Sequence, residues 1–301
     1  MKRFSVFQAF QRIFIFAAVI FSLIIFSSSK LIAFEIKLEK EQAKEKSIRK
    51  LSGPIILDPR PAFDYSMEHF AIAEPIRWQD FAQTEKPHQG ALDPDSDFLA
   101  RRLRVFGIMP DREIIILGKG IKGAGEEGRI AWMLKYLGLT RIKIATYDEF
   151  KGQRVSGEGP EVDSTPVWNP KVQENLRAKR SDVEKLISEK IQGHYLPGHY
   201  LVDTRVESEF KKLAPISPQA INIPWTEFVN TYGGQISVAK VTEILKRHGL
   251  QTKTLLPVEI IFYSEDSISS AYATFAASEA GYTVRHYDGG LNEWRSKDAQ
   301  R

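Results

Sequence analysis

The chain has 301 residues, enough for two domains of ordinary size, and it is 43% apolar and 27% charged, as a globular protein would be. It has no cysteine, which excludes disulfides, thiolate metal sites, thiol nucleophiles and lipid attachment through an N-terminal cysteine. Lys2, Arg3 and Arg12 supply three charges of the net +4; without residues 1–29 the balance is 39 basic against 38 acidic residues, which leaves no nucleic-acid footprint. In chain order, residues 1–29 combine a basic start, an apolar run from Ile13 to Phe26 interrupted only by Ser22, and small residues at Ser27 and Ser29. They predict an export signal peptide or a retained membrane anchor. Residues 30–50 are a charged spacer, residues 51–150 a first domain, 151–195 a linker containing the helix SDVEKLISEKI, and 196–301 a second domain.

The division rests on an internal repeat. ILDPRPAFDY at Ile56 answers LVDTRVESEF at Leu201, so that Asp58 and Arg60 match Asp203 and Arg205. EPIRWQDF answers INIPWTEF, with Trp78 matching Trp225. EIIILGKG answers EIIFYSED, with Glu113 matching Glu259. IKIATYDEF answers TVRHYDGGLNEW, with Tyr147 matching Tyr287. The four matches keep one order and nearly one spacing, which predicts two homologous domains. Within each, short β-branched runs alternate with amphipathic segments such as SVAKVTEILKRHGL and SSAYATFAASEAGY. That alternation predicts an α/β fold, each domain a small parallel sheet with helices on both faces and its binding loops at the strands' C-terminal ends.

LVDTR, AINIPW, a strand ending at a short polar loop, SAY opening the next helix and the closing YDGGLNEW resemble, as a set, the tandem rhodanese family of thiosulfate and mercaptopyruvate sulfurtransferases. The resemblance implies two rhodanese-like domains, of which the first is degenerate and the second would be the active copy. It also implies a six-residue active loop beginning with a cysteine that accepts sulfur as a persulfide. By position that cysteine falls on Ser264, in the loop Ser264, Glu265, Asp266, Ser267, Ile268, Ser269. A serine oxygen cannot replace the thiolate, being a much weaker acid with no persulfide counterpart. No residue is therefore assigned a catalytic role, and whether the chain is an enzyme is left open.

Glu265 and Asp266 would repel an anionic donor, and Asp266 with Ser267 reads as a helix cap. No GxSxG elbow surrounds Ser264 and no motif supplies its base, so a hydrolytic serine has little support. In the first copy Gly118, Gly120 and Gly123 spell GxGxxG after a strand. They lie too deep in the domain for a dinucleotide fingerprint, and no acidic strand end follows. The preferred reading of Gly118, Lys119, Gly120, Lys122 and Gly123 is a candidate anion-binding loop. Asp58, Arg60, Asp203, Arg205, Asp288, Gly289, Gly290 and Trp294 read as structural residues of the family motifs. No cofactor and no metal are expected.

These readings describe an exported protein of the periplasm or cell envelope, inactive as a sulfurtransferase and acting in binding or scaffolding. Its expected partner is a protein or a small anion, with membrane attachment through residues 13–29 if that segment is a retained anchor and not a cleaved signal. The alternative is a sulfurtransferase-type enzyme, or another activity using the same loop.

Overall fold

The computed structural model describes Lys37 and residues 53–160, 165–191, 193–229, 237–250 and 258–296. Residues 1–29, read as a signal or anchor, and most of the spacer lie outside the described residues, among which no helix is long and apolar enough to cross a membrane. The region Pro54–Arg301 forms one compact unit.

Two parallel sheets organise it. The first contains β1 (Ile55–Asp58), β2 (Ala73–Pro75), β3 (Ile114–Gly118) and β4 (Ile142–Thr146), in the order β2-β1-β3-β4. The second contains β5 (Arg177–Ala178), β6 (His199–Asp203), β7 (Ile221–Asn222), β8 (Glu259–Tyr263) and β9 (Val284–Tyr287), in the order β7-β6-β8-β9-β5. Ignoring β5, the two orders are the same. The registers agree as well: Leu57 pairs with Ile116 as Val202 pairs with Phe262, and Asp58 pairs with Pro75 as Asp203 pairs with Asn222.

Two details differ from the reading of the sequence. On the last strands, Ile116 pairs with Ile144 and Phe262 with His286, so Tyr287 occupies the place of Ala145 and not of Tyr147. Aromatic similarity drew that match two residues out of backbone register. The segment read as a linker also contributes to the second sheet. Arg177–Ala178 pairs in parallel with His286–Tyr287, and a helix follows over Arg180–Ser188, so this unit begins upstream of residue 196.

Eight helices matter to the site: α1 (Ala62–Met67), α2 (Ser96–Leu103), α3 (Glu126–Tyr136), α4 (Arg180–Ser188), α5 (Glu207–Lys212), α6 (Val238–Arg247), α7 (Ile268–Glu279) and α8 (Gly290–Arg295). α2 and α6 start on side-chain caps, with Asp95 accepting from the Phe98 N–H and Ser237 from the Lys240 N–H. α3 and α7 carry almost no exposed face, because each is packed between its own sheet and the other helix. Their close approach needs Gly128, since a Cβ there would overlap the backbone of Tyr272.

Side-chain alternation explains how both sheet faces are covered. Ile260 and Phe262 of β8 enter a central core, while Ile261 and Tyr263 enter an outer cluster with Leu186, Leu201 and Tyr287. In the first sheet, Ile55, Leu57, Ile114 and Ile116 join the same central core, and Ile56 and Leu117 form an outer cluster with Phe70. Each fully buried aliphatic side chain contributes about 2 kcal/mol. The central core is shared by both repeats.

Candidate functional site

At the end of β8 the chain turns through Ser264, Glu265, Asp266 and Ser267 into α7, so Ile268 and Ser269 belong to the helix's first turn and not to a six-residue loop. Ser264 is buried, and its Oγ accepts the Ser267 N–H at 3.0 Å and meets the Ser270 Oγ at 2.9 Å. The Ser270 Oγ lies 2.9 Å from Nε2 of His286, a fully buried residue of β9. The result is a serine–serine–histidine relay joining the loop, the helix and the neighbouring strand.

Helix capping is divided differently from the sequence reading. Asp266 Oδ1 accepts the Ile268 N–H at 3.2 Å, while the Ser267 hydroxyl is turned away and donates to the Asp288 carbonyl. Ser267 is the one non-glycine with positive φ among the described residues, at 69°, a conformation that costs about 1 kcal/mol. Its two hydrogen bonds hold it there. Glu265 and Asp266 are exposed at the rim.

The closing YDGG clasps this loop from the other side. The Leu291 N–H donates to the Ser264 carbonyl at 2.9 Å, and the Asn292 N–H to the Glu265 carbonyl at 3.4 Å. Gly290 has φ 56°, and a Cβ there would stand 2.6 Å from the Ser264 carbonyl oxygen, so glycine is required on both counts. Gly289 precedes it at the N-cap of α8. Trp294, half-buried at the end of α8, lies under the Arg180 guanidinium at 4.6 Å.

Asp288 binds the two repeats together. Its buried carboxylate accepts the Leu92 N–H at 2.7 Å and the Arg177 Nε at 3.1 Å, and Arg177 also donates to the Leu92 carbonyl at 3.0 Å. Burial acts to raise the Asp288 carboxyl's pKa, but Arg177 and Arg129 together outweigh it and hold the value below the usual range. Arg129, fully buried on α3, donates to the Gly90 carbonyl at 3.0 Å and lies against the Trp132 ring. Burial lowers its pKa to about 10, with Asp288 opposing. His286 meets Trp132 edge to face at 4.5 Å; burial, reinforced by Arg129, pushes its pKa well below the ordinary histidine value, so the ring is neutral. A cavity of about 780 Å³ opens beside this clamp, with His88, Arg177, Lys179, Arg180, Asp288 and Glu293 among its lining residues.

The Asp–Arg pairs repeat the same construction. Arg60 Nη2 lies 2.6 Å from Asp58 and Arg205 Nη2 2.7 Å from Asp203. Each guanidinium then reaches the carbonyl just past the following short helix, Glu68 after α1 and Leu213 after α5. These arginines stitch a strand end to a helix C-terminus.

The first copy's loop departs from the anion-cradle expectation. Lys119 pairs with Asp64 and Lys122 with Asp148. The N–H groups of Lys122 and Gly123 are taken by the Lys119 and Gly120 carbonyls, and that of Ala124 by the Glu126 carboxylate. The space that a side chain at Gly118 would fill is occupied by the carboxyl group of Glu127, which is buried and which the Gly120 N–H faces. The loop holds an internal acid where an external anion was expected.

Residues 181–297 match the model of the rhodanese-like domain. This part of the chain is a rhodanese-like domain. Over 185 residues the chain is 27% identical to a Saccharopolyspora erythraea protein described as a thiosulfate sulfurtransferase, a match covering 55% of this chain and 61% of that relative. The described fold is similar to 3-mercaptopyruvate sulfotransferase of Escherichia coli, with TM-score 0.59 and 21% identity over 78% of this chain and 91% of that one. It is also similar to 3-mercaptopyruvate sulfurtransferase of Leishmania major, with TM-score 0.60 and 17% identity over 81% of this chain and 70% of that one. The rhodanese-like domain thus takes in α4, which the sequence reading had placed in a linker.

Sequence reasoning missed His286, Ser270, Arg129 and Glu127. The alternation Val284, Arg285, His286, Tyr287 does put His286 on the same strand face as the core residue Val284, the one signal available for it. Nothing local marks the other three, which meet their partners through tertiary packing.

Proposed function

We propose that this is an exported, tandem rhodanese-like protein that does not transfer sulfur and acts in binding or scaffolding in the cell envelope. The observation carrying this reading is Ser264: in a chain without cysteine, the hydroxyl at the nucleophile position is buried and engaged by the Ser267 N–H and the Ser270 hydroxyl. An oxygen so placed forms no persulfide, and the loop around it is clasped by α8. Export is supported by the basic-then-apolar composition of residues 1–29.

The test is thiocyanate formation by the purified protein from thiosulfate or mercaptopyruvate with cyanide. No turnover above the uncatalysed rate is the expected result. Turnover that Ser264→Ala abolishes would overturn it.

A second reading is favoured by the Ser264–Ser270–His286 relay: acyl transfer through an oxygen nucleophile, with neutral His286 as a remote base. Against it, Ser264 is 1% exposed. Hydrolysis of p-nitrophenyl acetate that is lost in both Ser264→Ala and His286→Gln would establish this reading.

A further inference from the structure

The cavity above Gly118 in the first repeat has a volume of about 260 Å³ and is lined by Arg60, Gly118, Lys119, Lys122, Glu126 and Glu127, among others. Its size is a little below the ~300 Å³ at which drug-sized pockets begin, so it suits a molecule of few heavy atoms. Its floor carries an unusual group. Glu127 is 1% exposed and its Oε1 has no hydrogen-bond partner. An unpaired buried carboxyl oxygen asks for a donor.

The cations on the walls are already committed, though unequally. Arg60 is held by the buried Asp58, and Lys119 by Asp64. Lys122 meets Asp148 at 3.2 Å with both side chains about three-quarters exposed, a pair weak enough to be exchanged for a ligand. The cavity therefore offers an acceptor on its floor and an exchangeable cation at its mouth. A simple anion would meet Glu127 and Glu126; a simple cation would meet Lys119 and Lys122.

We infer that this cavity binds a small zwitterion of the α-amino-acid class, its ammonium group donating to Glu127 Oε1 and its carboxylate facing Lys122. The inference is independent of whether the second repeat transfers sulfur. The groups that face the Glu127 carboxyl are its own backbone N–H, Glu126 on its own helix, the Gly120 N–H of the loop and Tyr272 from α7, and none of these is a cation. Burial pushes the Glu127 carboxyl up to about 7, so ionising it for an ammonium partner releases a proton near neutral pH.

Calorimetric titration of the full chain at pH 7 tests this, with L-alanine as probe, methylamine as the ammonium-only control and acetate as the carboxylate-only control. L-alanine is expected to bind at least tenfold more tightly than either control, with Lys122→Ala reducing it to the level of methylamine and Glu127→Gln weakening it tenfold or more. Repeating the titration in buffers of different ionisation enthalpy should show net proton release on alanine binding. Acetate binding as tightly as alanine, unchanged binding in Glu127→Gln, or no heat with alanine would each overturn the inference. If Glu127→Gln melts before it can be titrated, the Lys122→Ala result and the proton count decide alone, and binding without proton release counts against it.

Discussion

The Leu92 N–H donates to the Asp288 carboxylate at 2.7 Å, across 196 residues of chain, and Arg177 bonds both of them. One buried acid thus couples the first repeat's Leu92 loop to the second repeat's YDGG. Removing it leaves Arg177 buried without its counter-charge and the Leu92 N–H without an acceptor. Asp288→Ala is expected to cost about 3 kcal/mol, read from urea unfolding, and Leu92 should lose protection in hydrogen exchange.

Gly290→Ala places a Cβ 2.6 Å from the Ser264 carbonyl and forces a left-handed alanine. Gly193, at φ 83° with nothing within 4 Å of its Cβ position, is the control for the backbone term alone. Gly193→Ala is expected to cost about 1 kcal/mol and Gly290→Ala about 2 kcal/mol more, because the loop must move. Equal losses would show that the clasp between loop and α8 is loose.

Glu127 makes stability depend on pH with a definite sign. Its carboxyl titrates near the ordinary glutamate value when unfolded and at about 7 when folded, so the fold is penalised progressively as pH rises from about 4.5 to 7. The penalty above pH 7 is on the order of 3 kcal/mol. Glu127→Gln should therefore raise Tm at pH 8 and leave it nearly unchanged at pH 4.5.

His286 acts in the opposite direction. Its folded pKa lies well below the unfolded value of about 6.5, so the fold loses stability as pH falls through and below that value. A His286→Gln variant, which keeps a polar atom near Ser270, should show a shallower loss of Tm between pH 6.5 and 4.5. An unchanged slope would mean that the ring is already charged in the fold.

Ser264→Cys restores the atom that persulfide chemistry needs, in a site buried under α8 with Asp266 at its rim. The new thiol is expected to react with a bulky disulfide reagent at least tenfold more slowly in the folded than in the unfolded protein, and to produce little thiocyanate. Fast labelling in the native state would show that the loop opens.

Much of the fold could be read from local pattern. The β-branched runs around Ile56, Ile115, Leu201 and Ile261 became strands, and their recurrence with one spacing reflects a shared register. Asp58 and Arg60, or Asp203 and Arg205, stand two apart, so their pairing is a local matter too. The match of Tyr147 with Tyr287 failed by two residues because residue likeness does not report hydrogen-bond register. Arg177 and Ala178 looked like linker because a two-residue strand has no period to detect.

By itself the sequence determined that the chain is a repeat, that its helices follow its strands, and that no thiol stands at Ser264, since composition and period-2 or period-3.6 spacing are properties of neighbouring residues. The tertiary structure alone decided what Ser264 touches, that a buried histidine lies two hydrogen bonds away, that Asp288 clamps Leu92, and that the Glu127 carboxyl fills the space over Gly118. Those relationships join residues from 3 to 196 positions apart. α3 and α7 pack against each other, and their close approach needs the missing side chain of Gly128.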